Sequence, residues 1–332
     1  MAQGKEQNEP KEEQKLVKYL PKTLRNHPFI KDARSGKRVT SWWGALLIIL
    51  ASVYVVQSVS IAALNIIFPS PDGSTLKQIQ EGIGTTLAIV FVFTWVALRE
   101  RRHIKTLGFR RPGRGVLLLL IGIVVGIAMN TIPILYLWAT GQYEQVDGGA
   151  GSASGLAIIP LLLLLLVTVI AQSSNEEILI RGFALQSWGQ KMPAWLPIFG
   201  LSLLFSLLHG VLADPIPLLM IFFYAVFATF VVLWQKSLWL ICGIHAGWNF
   251  TMGNIFGIHV SGLPAHTNSL MFLAPTDGSA DWLTGGAFGT EGGVPAALTV
   301  LVFAGIAYLL YRRTLRTAAS SDAFKTGATQ SA

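Results

Sequence analysis

The sequence predicts an all-α, polytopic membrane bundle of about eight transmembrane helices, with both termini on the cytoplasmic side. Three observations carry this expectation. Hydrophobic residues make up 52% of the 332-residue chain and charged residues only 13%, and the mean hydropathy is +0.54, unlike a soluble domain. Long apolar runs recur along the chain at lengths suited to a bilayer. Lys and Arg fall on alternate connections, as cytoplasmic retention of positive charge requires.

The spans are expected at roughly 42–68, 82–98, 115–138, 158–189, 194–211, 217–235, 238–257 and 292–311. The first follows a polar stretch, MAQGKEQNEPKEEQK, with no apolar core before Trp42. It therefore reads as an uncleaved insertion signal, not a cleaved signal peptide. The second and fifth are short. The fourth opens with the run IIPLLLLLLVTVI, residues 158–170, and is long enough to tilt or project from the membrane.

With the N-terminus inside, ten Lys/Arg lie in residues 1–40 and seven in 99–114. Arg181, Lys191 and Lys236 lie toward inner turns, and Arg312, Arg313, Arg316 and Lys325 at the C-terminal end, which leaves Lys77 alone outside. The net charge of +8 then faces the cytoplasm and anionic lipid, and a nucleic-acid partner is not needed to explain it. The expected organisation is a basic, partly disordered cytoplasmic tail over 1–40, a bundle over 41–312 and a second tail over 313–332. Residues 1–25 and 318–332 are polar enough to be mobile.

The outer loop 139–157 is rich in Gly and Ser and is expected to be flexible. Its GSASG stretch does not fit a nucleophile elbow, because Ala153 stands at the serine position. It does not fit a rhomboid-like Gly-x-Ser-Gly either, because Ser152 stands where the first Gly belongs. The segment 253–291 could cover the outer face of the bundle. Cys242 is the only cysteine. It can form neither an intramolecular disulfide nor a cysteine metal cluster, and it reads as a small packing residue.

Charged and histidine residues inside the expected spans occur on three of them only. The fourth carries Glu176, Glu177 and Arg181 in QSSNEEILIR, the fifth His209 in LSLLFSLLHG, and the seventh His245 in LICGIHAGWNF. A charge at the bilayer centre costs roughly 2.5 kcal/mol or more, so such groups are paired or functional. Glu177 and Arg181 are one turn apart and can neutralise each other, which a structural ion pair would explain. Glu176 points about 100° away and gets no such partner on its own face. Phe205 is one turn before His209 and can wall it, and His245 and Asn249 project together.

Helical rise places Glu176 and His209 at similar depth, roughly 20 Å from the inner ends of their spans. A carboxylate in low dielectric beside an imidazole can hold and deprotonate a water. A second imidazole and an amide can donate to a developing oxyanion. Together these are the parts for water attack on an amide. Glu176, His209 and His245 are also a possible zinc ligand set, although no His-Glu-x-x-His motif is present.

The ordered motifs EEILIR, FSLLH and HAGWN resemble the Glu-Glu-x-x-x-Arg, Phe-x-x-x-His and His-x-x-x-Asn motifs of the CAAX-protease and bacteriocin-processing (CPBP, Abi) family of intramembrane proteases. That family includes the Ras-converting CAAX endopeptidase and the lysostaphin-resistance proteins. The resemblance covers about 155–260. It implies that Glu176 and His209 activate water, that His245 and Asn249 form the oxyanion hole, and that Glu177 and Arg181 hold the fourth span. A metal-free mechanism is favoured, with zinc as the alternative. The implied substrate is a membrane-associated peptide or protein, and the expected location is a bacterial plasma membrane. Two other readings compete. One is a non-catalytic immunity factor or scaffold that keeps the motifs. The other is a proton-coupled transporter, which the lack of ionisable groups in the remaining spans disfavours.

Overall fold

The structure, a computed structural model, describes residues 20–149, 151–264 and 267–330, with 318–330 described by backbone alone. Its long helices are, in order, α1 (Trp42–Ile67), α2 (Thr75–Glu100), α3 (Pro112–Ala139), α4 (Leu156–Trp188), α5 (Leu196–Leu208), α6 (Pro215–Gln235), α7 (Trp239–Phe250) and α8 (Val294–Thr317). Six of these, all but α5 and α7, are long and apolar enough to cross a membrane.

The difference from eight expected spans has local causes. α5 stops at Leu208 because His209 leaves helical geometry and Gly210 takes φ +74°, a conformation glycine adopts without strain. The chain then turns through a largely exposed stretch, 210–214, and α6 starts at Pro215. α7 continues as a wider π turn over Thr251–Ile255 and is buried from Leu240 to Phe250. The second span begins earlier than expected, at Thr75, because the Ser74 hydroxyl accepts the Lys77 backbone N–H at 3.2 Å and caps the helix. Lys77 and Glu81 are thereby part of α2.

The centre of the bundle is the crossing of α3 and α7. A Cβ on Gly126 would lie 2.1 Å from the Ile244 carbonyl, and one on Gly247 would lie 2.2 Å from the Ile123 carbonyl. Gly122 and Gly243 meet equally closely. Two Gly-x-x-x-Gly pairs therefore bring the backbones into contact. The Asn130 amide on α3 donates to the Trp248 carbonyl at 2.9 Å, which pins the register of α7 and with it His245 and Asn249.

One face gathers the basic segments. Arg110 forms a two-pronged ion pair with Asp32, the Lys37 N–H donates to the Glu100 carbonyl, Arg34 donates to Gln190, and the His27 ring packs on Tyr311. Residues 1–19 of the expected mobile tail lie outside the described residues. From Leu20 on the tail is docked: Leu24, Phe29 and Ile30 are buried, and the Lys22 carbonyl accepts from Ala194. Three apolar side chains in a stretch of otherwise polar composition make the difference. Residues 318–330 continue α8 as helical backbone.

The opposite face is built from the connections after α1, α3 and α7. β1 (Tyr143–Gln145) pairs antiparallel with β2 (Leu273–Pro275), Tyr143 opposite Pro275. The loop expected to be flexible is thus held, in part, by a strand. The Thr267 N–H donates to the Gly73 carbonyl, and Ala153 to Thr267. The segment 253–291 covers this face.

Candidate active site

α4, α5 and α7 meet at a cavity of about 560 Å³. Glu176 and Glu177 are consecutive on α4 and so diverge. The Glu177 side chain is fully buried, whereas that of Glu176 is 26% exposed and lines the cavity.

Glu177 Oε1 accepts from Arg181 at 3.2 Å, the one-turn pair read from sequence. It also accepts from His245 Nδ1 at 2.9 Å, a contact across two helices that no helical spacing reveals. The Arg181 guanidinium lies 4.4 Å from the centre of the Phe205 ring, a cation–π contact in a desolvated setting. Phe205 in turn packs on His209, with ring centres 4.6 Å apart. Glu177, Arg181, Phe205 and His209 thus form one connected run, of which Phe205 and His209 line the cavity.

The two imidazoles are oriented alike. His209 Nδ1 is 2.8 Å from the Phe205 carbonyl. A carbonyl only accepts, so Nδ1 carries the proton. His245 Nδ1 likewise donates to Glu177. Both rings therefore turn Nε2 to Glu176 Oε2, at 3.9 Å for His209 and 3.8 Å for His245. Oε2 has no hydrogen-bond partner within the protein. Both separations are longer than a direct hydrogen bond. The nitrogen and oxygen donors are those of a zinc site, but among the described residues no group of three such side chains is placed to hold a metal ion.

Sequence reasoning missed Gln172. It lies one turn before Glu176 on the same face, so the spacing rule that paired Glu177 with Arg181 could have found it. Its Nε2 donates to Glu176 Oε1, and its Oε1 accepts from Asn249 Nδ2 at 3.0 Å. Glu176 thus has a same-face partner, a neutral one. Tyr224, on α6, was also missed. Its ring is 5.1 Å from that of His245, and its hydroxyl is buried without a hydrogen-bond partner. Glu291 accepts from the Trp248 indole at 2.8 Å and from Ser261, tying the covering segment to α7.

Residues 158–251, which hold every one of these motif residues, match the family Rce1-like, type II CAAX prenyl endopeptidase Rce1-like. This segment is similar to the CAAX-protease family. The matched segment runs from α4 to the start of the π turn after α7, so the family match covers the three helices that carry Glu176, His209 and His245. No curated protein and no solved structure matches the chain. Six spanning-length apolar helices surround this protease-family-like segment, which indicates an integral membrane protein.

Proposed function

We propose that this protein is an intramembrane endopeptidase that hydrolyses peptide bonds of membrane-associated proteins or peptides. The observation that supports it best is the convergence of Glu176 Oε2 with the Nε2 atoms of His209 and His245 on the cavity floor.

In this reading a water sits between Glu176 and His209. Glu176 takes a proton as the water oxygen attacks the scissile carbonyl carbon. The carbonyl oxygen becomes an oxyanion, and two N–H groups face it. One is the second amide hydrogen of Asn249, whose first is held by Gln172. The other is Nε2–H of His245 once that ring is doubly protonated, with Glu177 holding its Nδ1–H. Collapse breaks the C–N bond, and the proton on Glu176 goes to the leaving amine. Glu177 and Arg181 hold α4 and, through His245, the oxyanion side of the site. Phe205 walls His209.

The reading extends to the bundle. α5 and α7 count with the six longer helices as eight membrane-embedded elements over 41–312, with both termini cytoplasmic and tails at 1–40 and 313–332. The basic face would rest on anionic lipid, and the setting is a bacterial plasma membrane.

Purified protein with a quenched peptide library in liposomes tests the activity. Cleavage by the wild type and none by Glu176→Gln is expected, because an amide cannot take the water proton. Processing by Glu176→Gln at the wild-type rate would overturn the assignment.

A further inference from the structure

The cavity floor lies deep in the bundle, but its walls reach one face only. The rim is formed by Asp72 and Gly73 before α2, by Lys77 in its first turn, and by Val260 to Pro264 of the covering segment. Asp72 and Leu263 are exposed there, at 72% and 60%. No residue of the basic face lines it: the segments 20–40, 99–114 and 186–194 and the Lys236 turn are all absent from its wall. Those segments are packed on one another at the far side of the bundle. Among the described residues Lys77 is the single Lys or Arg in the cavity wall.

Positive charge marks the cytoplasmic side of a membrane protein, so the rim is on the other side. The wall carries polar side chains along its depth, among them Asp72, Gln78, Glu81, Gln172 and Glu176, as expected of a cavity that receives a polar chain. We infer that the substrate is a polypeptide segment that enters this cavity from the non-cytoplasmic face, in extended form. This deepens the protease reading above and rests on its orientation.

The helices set the reach. Gly82 of α2 is level with Thr168 of α4, since a Cβ on Gly82 would lie 2.8 Å from the Thr168 Cβ. Lys77 is five residues above Gly82, and Glu176 eight below Thr168 on a helix running the same way. At 1.5 Å per residue the rim is about 20 Å from Glu176. An extended chain advances about 3.3 Å per residue, so about six residues lie between the rim and the scissile bond. A cytoplasmic C-terminal tail would meet the closed, basic side instead.

Cysteine accessibility tests this without a known substrate. In a Cys242→Ala background, single cysteines are placed at the rim (Leu263→Cys), in the wall between rim and floor (Thr168→Cys) and on the basic face (Lys191→Cys). Intact cells are treated with a small, charged, membrane-impermeant thiol reagent, before and after permeabilisation. Leu263→Cys and Thr168→Cys should react in intact cells, and Lys191→Cys only after permeabilisation. Rim and wall cysteines that react only after permeabilisation would overturn the inference, as would reaction of Lys191→Cys in intact cells. A reactive rim with an unreactive Thr168→Cys in both states would overturn the continuous path. None of these outcomes depends on catalysis. Failure of the protease reading would show separately, as absent cleavage by a protein that labels as expected.

Discussion

Glu177 on α4 and His245 on α7 are joined by a 2.9 Å hydrogen bond from Nδ1 to Oε1, and the same oxygen holds Arg181. One buried carboxylate thus fixes a helix-to-helix contact, a guanidinium and the direction in which the imidazole turns its free nitrogen. Replacing Glu177 by Ala leaves Arg181 buried without its counter-ion, a loss of about 3–5 kcal/mol. Glu176→Ala removes a cavity-facing group that ties up no cation. The yield of monodisperse detergent-purified protein should be far lower for Glu177→Ala. Equal yields, or the reverse order, would count against this division of roles.

Gln172 links Glu176 to Asn249 through the two ends of one amide. Gln172→Leu removes both bonds and should lower kcat more than it raises KM, since it disorders groups that act in the transition state. A double-mutant cycle with Asn249→Ala should be non-additive. Additive losses would mean that Gln172 positions nothing at Asn249.

Asn249→Ala deletes one donor to the oxyanion. Such losses cost about a hundred- to a thousand-fold in rate, so the variant should be crippled yet measurable. A rate within a few-fold of wild type would remove Asn249 from the reaction.

Exhaustive chelation with elemental analysis checks the role of metal. The Glu176–His209 pair can activate water unaided, so activity should survive chelation. Stoichiometric zinc, with activity lost on its removal and restored on refilling, would instead assign Glu176, His209 and His245 as ligands.

His27 docks the N-terminal segment against Tyr311. Burial lowers its pKa from 6.5 to about 4, partly offset by a hydrogen bond with the Leu233 backbone. The unfolded chain therefore takes up a proton near pH 6.5 while the docked ring does not. The contribution is intact above pH 6.5 and falls as pH drops toward 4, by up to about 3 kcal/mol. Thermal unfolding in detergent should show this loss between pH 6.5 and 4, and His27→Phe should flatten it.

The spans that are apolar throughout were legible from hydropathy because a bilayer demands long apolar helices whatever they pack against. The motif residues of α4, α5 and α7 were legible because ionisable groups are costly in lipid and stand out. The early start of α2 was hidden, since a polar first turn capped by Ser74 looks like loop to a hydropathy window. The Gly-x-x-x-Gly pairs of α3 and α7 were present in the sequence, but only packing reveals that they face each other.

What the sequence determined by itself was a membrane-embedded helical bundle, the asymmetry of its charge, and which side chains had to be explained. These follow from solvation, which acts on each residue one at a time. The tertiary structure alone decided that Glu177 reaches His245 and not only Arg181, that Gln172 bridges Glu176 and Asn249, and that the cavity opens away from the basic face. Those are relations between helices far apart in the chain, fixed by how close two backbones can approach and which buried polar atoms must find partners. No local spacing encodes them.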